Sequence, residues 1–467
     1  MSISERDVVL LATQAVLRRL TALALAVVMA LTSLPVAPAS AQNLPLIRDA
    51  EIEGLMRLYT KRIFEAAGIN PGDVNVYLIN DPRINAFVAN GQRIFIHTGL
   101  LQQAKSPNDV IGVLAHETGH IAGGHLARMG LQLDRASNIA IITMLIGAAA
   151  MIGSGIAGQP KGGQMGQGIM LGGPGLAQGM LLSYARAQES AADQAAVKLL
   201  DATGQSGKGM LDLFYKLSNQ ALASAQYTNP YALTHPMPLE RVRNLERMVK
   251  ASPYFDAADP PALVLRHQLM QAKLDGFLNS AQQVYRKYPT GDLSPPARYA
   301  RAIAAFRGGD LQAALREIDT LIKLIPADPY FWELKGQALV ESGKVAEAVA
   351  PLREAVRRLP KSGLIRMLLA QALLGINNQA ATREALDNLR IAQRSEDDHP
   401  KVHLYMATAY ARLGNIGMAE LETAEVAYLR GDRELAAQQA KSAQKRFASG
   451  SPQWLRANDI LNYSIEK

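Results

Sequence analysis

The sequence predicts a mainly α-helical protein in two unlike parts, an α+β domain with a small antiparallel sheet followed by an all-α solenoid. Three observations carry this. Strand-like alternation near residues 74–97 is followed by helical runs, one of which contains the polar string "HETGH", His116 to His120. Small residues, turn pairs and prolines recur 34 residues apart in the C-terminal half. Alanine and leucine, strong helix formers, dominate that same half.

At 467 residues the chain is too long for one compact core. It begins with a leader-like segment. Arg18 and Arg19 precede the apolar run "LTALALAVVMAL", and "PVAPASAQ" then sets Ala39 and Ala41 in a small-x-small pattern. This layout predicts a signal peptide over 1–41, cleaved after Ala41, and export to a periplasm. The net charge is +8, with both signs interleaved, which speaks against nucleic acid as a partner. There is no cysteine, so disulfides and thiolate metal sites are excluded.

Residues 42–255 form the predicted α+β domain. "RDAEIEGLMRLYTKRIFEAAG" has helical periodicity and closes at Gly68. "DVNVYLIND" alternates Val74, Val76 and Leu78 and reads as a half-buried strand. "INAFVANGQRIFIHTG" reads as a hairpin, because Asn90-Gly91 supplies the positive φ angles of a type I′ turn. Ser106 and Pro107 suit the cap and first turn of the helix that carries His116. The uncharged stretch 139–157 is short and glycine-diluted, so it predicts a buried or membrane-touching helix rather than a span. Glycine-rich residues 162–175 read as a loop, and a second helix runs from about Pro174 to Leu200.

Residues 260–467 form the predicted solenoid. Pro326 and Pro360, Gly309 and Gly343, Ala302 and Gly336, Ala314 and Ala348, and Ile318 and Leu352 all share the 34-residue offset. That period is the tetratricopeptide pattern, in which helix pairs stack to bury faces that no single pair could bury. Leu369-Ala370, Ala407-Tyr410-Gly414 and Leu429-Gly431-Ala436 continue it irregularly.

On a helix, residues four apart share one face, so His116 and His120 can aim ring nitrogens at one ion. Glu117 sits beside that face as a base for a water molecule. Zinc suits imidazole and carboxylate ligands, and this spacing recurs in HExxH zinc peptidases. A third histidine six positions after His120 would fit one such class, but that position is Leu126. His125 falls one residue early and reads as a packing or supporting residue. "SYARAQESAADQAA" instead offers Glu189 as third ligand, with Asp193 one turn on to hold a ligand imidazole.

In this order, "HETGH", "SYARAQESAAD" and "THPMPLERV" resemble the zinc peptidase family of the CAAX prenyl proteases and the mitochondrial inner-membrane protease Oma. The leader, "INAFVANGQRIFIHTGLL" and the repeat array narrow the resemblance to exported members that serve outer-membrane β-barrel assembly in Gram-negative bacteria. The resemblance implies one zinc per chain on His116, His120 and Glu189, with Glu117 as general base and Asp193 behind a ligand. It places His235 close to the metal, either assisting catalysis or occupying the fourth zinc position as a latch. It further implies cleavage of unfolded or misassembled outer-membrane proteins, with the repeats contacting the β-barrel assembly machinery and with peripheral membrane contact. A non-proteolytic chaperone acting through the repeats is the competing reading. Asn85, Ala86 and Phe87, in the strand before the metal helix, are the expected edge on which an extended client pairs.

Overall fold

The computed structural model describes residues 45–133 apart from 90, 126 and 130, residues 183–223 and 235, and residues 238–465 apart from 377. The predicted signal peptide at 1–41, the apolar stretch 139–157 and the glycine-rich stretch 162–175 lie outside the described residues. Within them, the fold is mainly helical, with a four-stranded sheet near the N-terminus and helical repeats after it.

Helix α1 (Ala50–Ala66) starts at Asp49, whose carboxylate accepts from the backbone N–H groups of Glu51 and Ile52. Its periodic apolar residues Ile52, Leu55, Met56, Tyr59, Ile63 and Phe64 are buried. The strands are β1 (Leu46–Ile47), β2 (Asn75–Ile79), β3 (Ala86–Ala89) and β4 (Arg93–His97), in the order β1-β2-β4-β3. β3 and β4 form the expected antiparallel hairpin, with Phe87 opposite Phe95 and Gly91 at φ 89°. The sheet is mixed, however, rather than antiparallel throughout, because β2 runs parallel to β4. Residues 80–85 carry the chain past the end of β4, so β4 inserts between β2 and β3. Alternation marks strands but does not encode which neighbour each one takes.

Helix α2 (Thr98–Gln103) follows β4, and α3 (Pro107–Ala122) carries the HETGH string. At the start of α3 the Ser106 hydroxyl donates to the Asp109 carboxylate, which also accepts from the Lys105 N–H. Val110, Ile111, Val113, Leu114 and Ala115 are buried, and so are His116, Glu117 and Thr118. A helix buried all round is a core helix, so its polar residues face protein rather than water. A helix over 183–202, here α4, packs on α3 at Gly119, where a Cβ would lie 2.9 Å from the Ala192 carbonyl oxygen. Helices α5 (Lys208–Ala223) and α6 (Leu239–Lys250) complete this region.

Helix α7 (Pro261–Leu278) opens the second half, yet its Met270 and Leu274 belong to the same buried cluster as Ile52, Ile94 and Leu114. After α8 (Ala281–Lys287) come α9 (Pro295–Arg307), α10 (Leu311–Leu324), α11 (Pro329–Glu341), α12 (Val345–Arg358), α13 (Gly363–Ile376) and α14 (Gln379–Glu396). Helices α9, α11 and α13 start 34 residues apart, as do α10, α12 and α14. Helices α15 (Pro400–Arg412), α16 (Ile416–Leu429), α17 (Arg433–Gln444) and α18 (Pro452–Ile465) continue the stack. The repeating alanines Ala302, Ala314 and Ala348 are fully buried, as close helix pairing requires.

Ionic contacts join the two halves. Lys273 Nζ of α7 lies 2.7 Å from Asp49 and 3.2 Å from Glu51, and the Tyr299 hydroxyl donates to Glu51 at 2.8 Å. Arg48 bridges Glu53 at 2.8 Å and Glu396 at 2.6 Å. No helix of the described residues is long and apolar enough to cross a membrane.

Candidate metal centre

Helix α3 presents His116 and His120 one turn apart, and α4 presents Glu189 and Asp193 one turn apart on the facing surface. His235 enters from the segment between α5 and α6. One ligand atom from each of His116, His120, Glu189 and His235 lies within 4.8 Å of all the others. The Nε2 atoms of His116 and His120 are 3.1 Å apart. Glu189 places Oε2 3.4 Å from His116 Nε2 and Oε1 3.3 Å from His120 Nε2. His235 Nδ1 is 3.4 Å from His116 Nε2 and 3.1 Å from both Glu189 oxygens.

These separations test whether a metal fits. Ligand bonds of about 2.0–2.1 Å set tetrahedral ligand atoms roughly 3.3 Å apart. With either Glu189 oxygen taken as the ligand atom, four of the six edges of the cluster have the lengths just given, all between 3.1 and 3.4 Å. Three imidazoles and one carboxylate turned to a common centre form a donor set that a divalent cation satisfies. Glu117 adds a second sign: it is fully buried, and neither carboxylate oxygen has a hydrogen-bond partner among the described residues. Its Oε1 lies 3.5 Å from His235 Nε2.

The surroundings hold the donors in place. Asp193 Oδ1 sits 3.0 Å from His116 Nδ1, within ion-pair range though off line for a hydrogen bond. Arg241, in the first turn of α6, donates from Nε and Nη2 to the two Asp193 oxygens at 2.7 and 2.8 Å. Its Nη1 is 2.7 Å from Glu189 Oε2. The Phe214 ring packs edge-on to His116 at 5.7 Å and lies beneath the Arg241 guanidinium at 5.4 Å. His125 Nδ1 lies 3.0 Å from His120 Nδ1, so it supports His120 from outside the four-donor cluster.

Burial and charge divide the titrations. Burial pushes the Glu117 carboxyl up, against the pull of His235 and His116. Burial also opposes ionisation of Glu189 and Asp193, but the histidines around Glu189, and Arg241 with His116 around Asp193, hold both well below the usual carboxylate range. Burial lowers His120 to about 4. His116 feels the same penalty, yet Asp193 and Glu189 outweigh it and raise the ring to about 9.

Of the residues singled out in the sequence, His116, Glu117, His120, Glu189, Asp193 and His235 come together here. Asn85, Ala86 and Phe87 lie apart, at and just before β3, the strand at one end of the sheet, which packs on α3. Sequence reasoning missed Arg241. Its signal was available: Arg241 lies on the stripe of α6 that buries Val242, Leu245 and Val249. A charged residue on an apolar stripe calls for a buried partner.

Residues 51–249 match Peptidase family M48, and residues 299–363 and 333–381 match the tetratricopeptide repeat. The chain is 25% identical over 424 residues to the β-barrel assembly-enhancing protease of Escherichia coli (strain K12), across 88% of this chain and 82% of that one. It is 24% identical over 355 residues to the protein of the same name from Yersinia pestis, across 74% and 70%. The mitochondrial metalloendopeptidase OMA1 of Schizosaccharomyces pombe is 27% identical over 186 residues, across 40% of this chain and 50% of that one.

Proposed function

We propose that residues 51–249, which match Peptidase family M48, are the catalytic part of a periplasmic zinc endopeptidase that removes misfolded or stalled outer-membrane β-barrel proteins and assists their assembly, with the matched tetratricopeptide repeats following it. The observation that carries this reading is the four-donor cluster with a buried Glu117 beside it, whose carboxylate accepts no hydrogen bond among the described residues. His116, His120 and Glu189 are the zinc ligands. When bound, zinc acidifies a water molecule and polarises the scissile carbonyl. Glu117, kept basic by burial and free of competing hydrogen bonds, accepts the proton of the attacking water and returns it to the leaving amine. Asp193 and Arg241 fix the ring of His116 and the carboxylate of Glu189, so that the donors keep their geometry through turnover.

His235 is a latch in this account. Its Nδ1 stands at the fourth corner of the cluster, where substrate and water must enter, and contacts Glu189 and His116. It reaches the site from outside any helix, so it can withdraw without unfolding one. A protease made before its clients arrive is harmful among unfolded chains, and a latch limits that harm. The β3 edge at Asn85, Ala86 and Phe87 receives an extended client by strand addition. The repeats hold the client or the assembly machinery, and residues 1–41 direct export.

The test uses cells expressing wild type or Glu117→Gln. The variant should retain its clients, so β-barrel outer-membrane proteins should co-purify with it and accumulate. Co-purification of no outer-membrane protein, or equal amounts with wild type, would refute the assignment of clients.

A further inference from the structure

Tyr77 of β2, Phe95 of β4 and Phe87 of β3 stand directly opposite one another across three strands. Their rings form one stacked row. The Tyr77 and Phe95 centroids are 5.2 Å apart with planes 20° from parallel, and Phe95 and Phe87 repeat the step at 5.2 Å and 15°. The row lies on the sheet face turned away from the core, since Leu78, Ile94, Ile96 and Ala86 take the core face. Phe95, in the middle, is buried, whereas Tyr77 and Phe87 are half-buried. His97 packs edge-on to Phe87 at 6.3 Å and steadies that ring. β3 ends the strand order, so among the described residues no strand pairs with its outer edge. The row therefore ends, among the described residues, at the last strand of the sheet with an aromatic ring on its final step.

We infer that Phe87 is a specificity-determining residue, selecting an aromatic side chain at the client residue that pairs opposite it. This rests on the reading that the client adds to β3 as a strand. An added strand would lie about 4.8 Å beyond β3, with the Cβ opposite Phe87 about 4.5–5.5 Å away. The two 5.2 Å steps already present match that spacing, so a client ring there becomes the fourth member of the stack. An alanine opposite Phe87 leaves the half-exposed ring in water, and a leucine covers it without stacking. Aromatic pairs of this kind favour the aromatic residue by roughly 2- to 10-fold. On the same face, Phe87 is followed by Ala89, whose small side chain leaves room for whatever the client carries two residues away. The preferred client is thus a strand with an aromatic residue at the one position opposite Phe87, which β-barrel strands can supply from their aromatic girdles.

The experiment digests a denatured β-barrel protein and an unstructured peptide library with the full chain and maps every cleaved bond by mass spectrometry. Phe, Tyr and Trp should be enriched at one fixed offset from the cleaved bond. Phe87→Leu should reduce that enrichment roughly 2- to 10-fold, and Phe87→Trp should keep it. Zinc content and thermal unfolding of both variants establish that they are folded. No enrichment at a fixed offset, or enrichment unchanged in Phe87→Leu, would overturn the inference. A good library peptide remade with N-methyl groups on alternate amides separates the two levels. If one methylated set blocks cleavage but the aromatic preference is absent, strand addition stands and the role of Phe87 falls. If neither set matters, strand addition falls and the inference with it.

Discussion

Replacing Lys273 with methionine should loosen the join between the peptidase region and the repeats, and the loss should grow with pH. Lys273 is 4% exposed. Its ammonium group lies 2.7 Å from Asp49, 3.2 Å from Glu51 and 4.0 Å from Glu333, and it stands over the Tyr330 ring at 5.8 Å. At an effective dielectric of about 20, a contact as short as the one to Asp49 is worth roughly 6 kcal/mol of Coulomb energy before desolvation. Removing one partner of a buried pair typically costs about 3–5 kcal/mol, because the remaining charge has no counterion. Here three carboxylates would remain. Burial already pushes the Glu51 carboxyl up to about 7, and burial raises the Glu333 carboxyl further, to about 8. Both folded values lie above the ordinary carboxylate value, so these groups favour the folded state least at high pH, where they must ionise. With Lys273 gone they rise again. At pH 5.5 Glu51 and Glu333 hold protons in wild type and variant alike, so the loss there is confined to the contact with Asp49 and is smaller than at high pH. At pH 8.5 the variant must bury unpaired carboxylates or hold protons against the solution, and the full 3–5 kcal/mol or so appears. Urea unfolding of the full chain, followed by tryptophan fluorescence, measures this, because Trp332 packs with Ala50 and Tyr330 in the cluster that joins the two halves. A cost below about 1 kcal/mol at pH 8.5, or one larger at pH 5.5 than at 8.5, would refute the reasoning.

Two further outcomes follow from individual contacts. Gly336→Ala places a Cβ 2.3 Å from the Leu352 Cγ, so denaturant unfolding should show a loss of about 1–3 kcal/mol from overpacking the repeat. His235→Ala should raise basal cleavage or self-cleavage with zinc content unchanged. Slower cleavage at unchanged zinc content would instead assign His235 to stabilising the oxyanion of the tetrahedral intermediate.

Much of this architecture was legible because it is written in local periodicity. The 34-residue offsets between Gly309 and Gly343 and between Ala314 and Ala348 reappear as equivalent turns and buried contacts. The Asn90-Gly91 pair marked the hairpin, and the four-residue spacing of His116 and His120 marked one helix face. What escaped was pairing at a distance. Nothing within "NVYLI" says that β2 lies parallel to β4, because each partner residue lies 18 positions further along the chain. Arg241 escaped because its partners, Glu189 and Asp193, lie about fifty residues away in sequence. Helix α7 reads like the repeats that follow it, yet Met270 and Leu274 complete the peptidase core. A helix's own sequence does not tell which neighbour receives its apolar face.

The most direct test of the account is zinc content, measured together with hydrolysis of an unstructured peptide, in wild type, Glu117→Gln and Glu189→Ala. Wild type should hold about one zinc per chain and cleave the peptide. Glu117→Gln should keep the zinc and lose roughly 10²- to 10⁴-fold in rate, since the base is gone while the ligands remain. Glu189→Ala should lose both zinc and cleavage. Full zinc occupancy in Glu189→Ala, or undiminished hydrolysis by Glu117→Gln, would contradict the assignment of ligand and base.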